Sequence, residues 1–469
     1  MPAIHPALVN EERPFALDEL FFSTTDLKGV IRYGNRVFTR VSGYEECELI
    51  GAAHNIIRHP DMPRGVFKLL WEYVKSGRTI AAYVKNLAKD GRYYWVLAAV
   101  MPCQGGYVSV RLKPSSPLLE SVQAIYQQAL AVERRIETDP SLRKQAAAAG
   151  EESLAAQLAA AGFASYDQFM ERALSLELAS RREALAKPSQ RWRRRGHWPA
   201  SNHAQQGLSG RCRRIQDHLA TLFSSLERLK PLQHEFVASA TRLEQTSHWI
   251  QNASLNATIT SQTMGAEGRV LAEVARLLRE SSCETIDAIK ELSLMMSAIS
   301  RKLGSLAFDV AITELQIEVC TYFVDELQVA EHAYAGGDDL RCGAEESLAI
   351  LFDQLESRTR VAYDAAAAMR SELSDIRRPL TRLSRLLGEM RMVQFSGRKE
   401  SLAHPHGREF AAVFEDVARR VRDSTSVCSA LIDSIAACEA TLEDAAAGRR
   451  AVLQDVHEAR LATLSLPAV

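Results

Sequence analysis

Two clusters of residues in this 469-residue chain have types and spacings suited to recognition chemistry. The first is the turn Arg58-His59-Pro60-Asp61-Met62-Pro63 with Trp71 on the segment that follows. Arg58 carries a permanently charged planar fork that can pair with two oxygens of a carboxylate or phosphate at once. The indole of Trp71 offers a flat face, either to a ring system or to a core. His59 and Asp61 add hydrogen-bonding groups that serve a ligand or fix the turn presenting Arg58. Asp61 also suits the N-cap of a helix, and Pro63 suits its first turn. The second cluster is Leu255-Asn256-Ala257-Thr258-Ile259 followed by Gly265-Ala266-Glu267-Gly268-Arg269, where two glycines suit a chain that reverses tightly. No nucleophile with a paired base, no metal-ligand spacing and no phosphate loop stands out, so a non-enzymatic protein with no metal is expected.

The elements that would position the first cluster alternate between strand and helix patterns. Residues 21–33 hold two short runs around Asp26-Leu27-Lys28-Gly29, which predicts a hairpin. Residues 35–41 and 45–50 read as short helices separated by Ser42-Gly43. A longer helix begins at Asp61 and carries Val66, Leu69, Leu70, Tyr73 and Val74 on its apolar positions. Three strand-like runs follow, 79–87, 92–103 and 106–113, the first two joined by Asp90-Gly91. Two strands, several small helices and three strands predict a five-stranded sheet with helices on one side and a pocket between.

The same stretch closely resembles the flavin-binding PAS domain of bacterial aerotaxis transducers. The resemblance rests on Ser23-Thr24-Thr25-Asp26-Leu27, Val41-Ser42-Gly43-Tyr44 and the Arg58 to Pro63 turn. It continues through Phe67, Trp71, Lys75, Gly77, Val84-Lys85-Asn86, Gly91 and Tyr94-Trp95, and spans about 115 residues. It implies FAD as cofactor, with Arg58, His59, Asp61, Trp71 and Asn86 as cofactor-binding residues. Ile80, Ala82 and Ala99 stand where the family commonly has a tryptophan, a glycine and a polar residue, which predicts a less polar pocket.

From Leu118 onward alanine, leucine, glutamate and arginine dominate, and strand signals are few. Ile215, Leu219, Leu222, Leu226 and Leu229 repeat at spacings of four and three, as do Leu373, Ile376, Leu380, Leu383, Leu387 and Met390. Such heptad seams predict helices packed along their lengths, with a kink or break at Pro379. The fold class expected is therefore α+β: an N-terminal PAS domain, a five-stranded antiparallel sheet with flanking helices, followed by a long all-α antiparallel helical bundle or coiled coil. The second cluster resembles the hairpin tip of methyl-accepting chemotaxis proteins. This implies a signalling tip at Leu255, Asn256, Ile259, Gly265, Gly268 and Arg269, with the chemotaxis histidine kinase and its coupling protein as partners. Thr260, Thr263-Met264 and Ala266 depart from that family's charged positions.

Residues 392–400, then His404-Pro405-His406-Gly407-Arg408 and Phe410-Ala411-Ala412-Val413, read as a second helix, turn and helix. One chain would then supply two hairpins, as a monomeric pseudo-dimer, the alternative being a homodimer. The expected division is a tail at 1–20, a PAS sensor domain at 21–116 and a helical connector at 117–186. A basic linker at 187–205, hairpins at 206–335 and 343–446, and a tail at 447–469 complete it.

With 57 basic and 58 acidic residues the chain has no charge bias toward nucleic acid. It shows no signal-peptide pattern and no apolar run of about eighteen residues, so no transmembrane segment and a cytoplasmic location are expected. Its eight cysteines lack paired spacing and read as free thiols. Arg191, Arg193, Arg194 and Arg195 around Trp192 read as a solvated linker. Glu244-Gln245 and Glu345-Glu346 lack the flanks of a methylation site, so signalling without covalent adaptation is expected. The function expected is a redox or oxygen sensor relaying cofactor state through the bundle to the chemotaxis kinase complex. The alternative is a PAS sensor or scaffold whose bundle binds another regulator or titrates the coupling protein.

Overall fold

The computed structural model describes residues 7–139, 141–142, 145–186, 203–263, 265–330, 338–403 and 408–464. Strands β1 (Phe21–Asp26), β2 (Ile31–Gly34), β3 (Ile80–Leu87), β4 (Tyr93–Cys103) and β5 (Gly106–Leu112) form one sheet in the order β2-β1-β5-β4-β3. Every neighbouring pair is antiparallel. The β3–β4 reversal turns at Gly91, where φ is +87°, a conformation that favours glycine. Gly106 lies so close to β1 that a Cβ there would sit 1.8 Å from the Thr25 carbonyl oxygen.

One face of the sheet carries α1 (Arg36–Ser42), α2 (Glu46–Leu49), a 3-10 turn (His54–Ile57) and α3 (Arg64–Lys75). Asn35 caps α1: its Oδ1 accepts from the amides of Phe38 and Phe22, and its Nδ2 donates to the Leu20 carbonyl, tying helix to strand. Asp61 does not cap α3. That helix starts at Arg64 behind Pro63, and its first two amides donate to Glu133, at 2.7 Å each. The cap thus comes from α4 (Leu118–Glu137), beyond the reach of a local sequence rule.

The connector is three helices, α4, α5 (Ala146–Ala160) and α6 (Tyr166–Ala186). α4 and α5 pack on α3. α6 covers the other face of the sheet, where the fully buried Glu177 accepts from Tyr83 Oη at 2.7 Å, from the amides of Ser115 and Ser116, and from Ser116 Oγ. Every residue of β5 is buried, because both faces are covered. Residues 7–20, read as a tail, run beside β4: Arg13 donates its amide to the Tyr93 carbonyl at 2.7 Å, and Phe15 is buried.

The remainder is helix: α7 (His203–Thr263), α8 (Arg269–Ala330), α9 (Asp338–Ala403), α10 (Arg408–Ala447) and α11 (Arg449–Leu464). Both heptad seams are buried along their lengths. α9 runs without a break through Pro379. Residues 449–464, read as tail, form α11, which buries Val452, Val456 and Ala459. The Arg-Trp linker at 187–202 and the second turn at 404–407 lie outside the described residues.

The chain divides into two compact units. The first comprises residues 1–223, 307–362 and 448–469. Within it, Phe323 of α8 packs edge-on against Phe22 and Tyr33 at 5.8 and 5.1 Å, Gln354 donates to the Pro102 carbonyl at 2.7 Å, and Arg358 donates to Thr79 Oγ1 at 2.7 Å. The second comprises residues 224–306 and 363–447, four helical segments of one chain. Ser282 Oγ donates to the Ser247 carbonyl between α7 and α8, Lys302 pairs with Glu372 between α8 and α9, and Arg398 pairs with Glu415 between α9 and α10. Arg420 over the Trp249 ring and Ser434 on Glu235 join α10 to α7 and close the ring of four.

Candidate ligand cavity

Between the sheet and the helices on its first face lies a cavity of about 260 Å³, just below the usual range for small-molecule sites. The strand alternation decides what faces it. Tyr107, Ser109 and Arg111 come from β5, Ala98 and Val100 from β4, and Val84 and Asn86 from β3. Ala99 therefore points to the opposite face and does not set the polarity of the pocket. Ile80 and Ala82 share the face of Val84 but lie outside the lining. The opposite wall is α3, through Phe67, Leu70, Trp71 and Val74, with Lys28 and Asn55 exposed beside the opening.

Three of the sequence-derived binding residues meet here: Arg58, Trp71 and Asn86. The Arg58 guanidinium carbon sits over the Phe67 ring, 4.0 Å from its centroid, and Arg58 donates to the Met62 carbonyl at 3.2 Å. A backbone bridge pairs Arg58 with Asn86, which stitches the turn to β3. Burial, with Arg64 nearby, lowers the Arg58 pKa, and the Glu133 carboxylate partly offsets this. Trp71 stands edge-on to Tyr107 at 5.7 Å and covers Gly29 in the β1–β2 turn.

The other two, His59 and Asp61, lie outside the lining and build the turn instead. Buried His59 accepts the Asp61 amide on Nδ1 at 3.1 Å. Burial and then Lys85 push its pKa down to about 4, so the ring is neutral at physiological pH. Burial would raise the Asp61 pKa, but Lys85 at 3.0 Å, with His59 and Arg134 beside it, holds the carboxyl below its ordinary value.

The most polar part of the lining involves residues the sequence reading did not single out. Buried Arg111 donates through Nη2 to Ser23 Oγ at 2.6 Å and to His54 Nε2 at 2.5 Å, and its guanidinium lies 5.0 Å from the Phe38 ring. Burial lowers its pKa to about 10, which leaves it a cation at neutral pH. Burial, then the Arg111 charge, pushes His54 well below its ordinary value, so it is a neutral acceptor. The alternation places Tyr107, Ser109 and Arg111 on one face of a predicted strand, but nothing local says which face is covered.

At the second cluster, α7 ends at Thr263, a 3-10 turn spans Gly265–Gly268 with Gly265 at φ +64°, and α8 begins at Arg269. Leu255 and Ile259 are 45% and 57% exposed, apolar side chains open to solvent just before the turn, and Asn256 and Arg269 are exposed with them. Gly268 is buried. Among the described residues no group of three His, Cys, Asp or Glu side chains is placed to hold a metal. One helical stretch among them, Phe410–Thr463, is long and apolar enough to cross a membrane by length and composition alone.

Residues 31–106 match the family model of the PAS fold. Over 127 residues, 26% of this chain, the sequence is 38% identical to the aerotaxis receptor of Escherichia coli (strain K12). Those residues are 25% of the relative, so the chain spans about a quarter of the length of the curated relative it matches. Among solved structures, a fungal LOV domain photoreceptor described as integrating blue light and oxidative stress matches with a TM-score of 0.18 and 19% identity. That match covers 23% of this chain and 81% of the photoreceptor chain. The N-terminal part of this chain is thus a PAS domain similar to that of an aerotaxis transducer.

Proposed function

We propose that the chain is a cytoplasmic sensor of redox or oxygen state that binds a flavin, FAD, in the PAS cavity and controls the chemotaxis kinase complex through its helical bundle. The observation that carries this reading is the convergence of Arg58, Trp71 and Asn86 on one cavity, inside the stretch 38% identical to an aerotaxis receptor. The residues fit such a group: the lining is mainly apolar, with an indole beside it and buried polar atoms, Arg111 Nη1 and Ser109 Oγ, that lack partners. A cavity of this size takes a fused ring system rather than a whole dinucleotide, so Arg58 and the exposed Lys28 are the cations available to the phosphates. When bound, a flavin supplies a ring whose hydrogen-bonding pattern changes on reduction.

The chain's own part is to hold that ring and pass on the change. Arg58 is anchored to Met62, two residues ahead of α3, and the first turn of α3 is held by Glu133 of the connector. A shift of Arg58 is thereby felt at the α3–α4 contact, and α6 and Phe323 read the other face of the same sheet. The two hairpins of one chain would stand in for the two subunits of a receptor signalling bundle, with Leu255, Asn256, Ile259, Gly265, Gly268 and Arg269 as the tip. Visible absorption of the full chain from its native host, with and without Arg58→Ala, tests the reading. A flavin spectrum lost in a still-folded variant is expected, and a colourless wild type overturns it. Thr260 and Ala266, in place of charged tip residues, favour a second output in which the bundle titrates the coupling protein. Kinase activity in a reconstituted receptor–kinase array separates the two.

A further inference from the structure

One charge in the cavity has no counter-charge among the described residues. Arg58 lies over the Phe67 ring, donates once to the Met62 carbonyl and feels the Glu133 carboxylate, so its charge is partly answered by the chain. Arg111 differs. Its Nη2 is spent on Ser23 and His54, while its Nη1 is buried with no hydrogen-bond partner, and no carboxylate pairs with it among the described residues. Two positions back on the same face of β5, Ser109 Oγ is also buried without a partner. Both side chains line the cavity, at 3% and 7% residue exposure. A buried cation without a counter-charge is costly, and two adjacent orphans in one lining point to a partner that is a ligand.

We infer that Arg111 and Ser109 form an anion-recognising subsite, at which the occupant sets a negatively charged acceptor edge against Arg111 Nη1 and Ser109 Oγ. The inference rests on reading the cavity as a ligand site and narrows the ligand class to flat molecules with an anionic or ionisable edge. Neutral His54 and Ser23 hold the guanidinium by its other nitrogen, so the free one is fixed in place before the ligand arrives. Two sources share this chemistry: the flavin ring of the proposed cofactor, which gains negative charge on reduction, and a free aromatic carboxylate.

The test uses the full-length chain as wild type, Arg111→Met, Arg111→Lys and Ser109→Ala, each first checked for an intact cooperative melt. FAD affinity is measured for the oxidised and reduced forms. If wild type takes up FAD, Arg111→Met is expected to weaken the reduced form at least tenfold more than the oxidised, with Arg111→Lys between. That ratio lowers the two-electron potential by about 30 mV. Equal weakening of both forms, or none, overturns the subsite. If wild type takes up no FAD, the flavin reading fails and the subsite is judged with benzoate against benzamide, its neutral counterpart. A thermal shift with benzoate alone, lost in Arg111→Met and reduced in Ser109→Ala, supports it, and equal or absent shifts overturn it. Should Arg111→Met not fold, Ser109→Ala and Arg111→Lys carry the same comparison. A merely structural Arg111 would lower the melt in Met without changing the benzoate preference or the ratio of the two FAD affinities.

Discussion

His59 lies outside the cavity lining and holds the turn beside it. Its ring is buried as a neutral acceptor, with a pKa near 4 against an ordinary 6.5. The unfolded chain takes up a proton between those values that the folded chain refuses. The His59 contribution to stability is therefore full above about pH 6.5 and declines as pH falls toward 4. His54, displaced in the same direction, adds to this slope. Urea midpoints at pH 7.5 and 5 are expected to fall in wild type and to fall less in His59→Asn, which keeps an acceptor near the Asp61 amide. Comparing the two separates His59 from carboxylates such as Glu133, whose raised pKa acts in the opposite sense. An equal fall in both proteins would contradict the assignment. The cavity-lining residues legible in the sequence were those in a dense local motif or a matched strand: Arg58, Trp71 and Asn86. Arg111 and His54 were not, because an arginine in an alternating strand looks solvent-facing, and only the covering helices turn that face inward.

Between elements, the contact with most consequence is the one at the start of α3. Glu133 accepts both of its first amides, and Gly65 and Gly150 bring α3 and α5 close together. A Cβ on Gly65 would stand 2.4 Å from the Glu151 amide nitrogen, and one on Gly150 would stand 1.9 Å from Glu133 Oε1. Glu133→Ala leaves the buried Gly65 amide and the part-buried Arg64 amide unanswered and is expected to cost roughly 1–3 kcal/mol in chemical denaturation. Gly65→Ala is expected to cost about as much by overpacking, with faster amide exchange in α5 as its signature. Unchanged exchange there would argue against a close α3–α5 contact. The strands, short helices and turns were legible because period-two patterns and glycine turns are local. The start of α3 was misread because its cap lies 69 residues away in sequence. The docking of α5 was hidden because its buried face is Ala146, Gly150, Leu154 and Leu158, half of it too small to register as an apolar stripe.

Across the first unit, Arg181 of α6 and Glu318 of α8 form a bidentate pair at 2.7 and 2.8 Å, both side chains almost fully buried, and Arg181 also donates to the Leu17 carbonyl. Removing one partner strands the other charge. Arg181→Met is expected to cost about 3–5 kcal/mol, and Arg181→Met with Glu318→Leu should recover most of that. Equal losses in the single and double variants, read by urea denaturation, would show that the pair does not act as a unit. The heptad seams made the helices legible, but nothing local announced that residues 307–362 would lie against the sheet, because that contact joins distant parts of the sequence. Thr24 Oγ1 meets Ser347 Oγ across 323 positions, and Phe22 and Tyr33 wait for Phe323. At synthesis rates of about 5–20 residues per second, the sheet leaves the ribosome roughly 10 to 50 s before these covering helices do. For that interval Phe22 and Tyr33 lack their aromatic partner, a sticky surface for chaperones or neighbouring nascent chains, so maturation of the sensor is timed by translation of the helices it is proposed to drive.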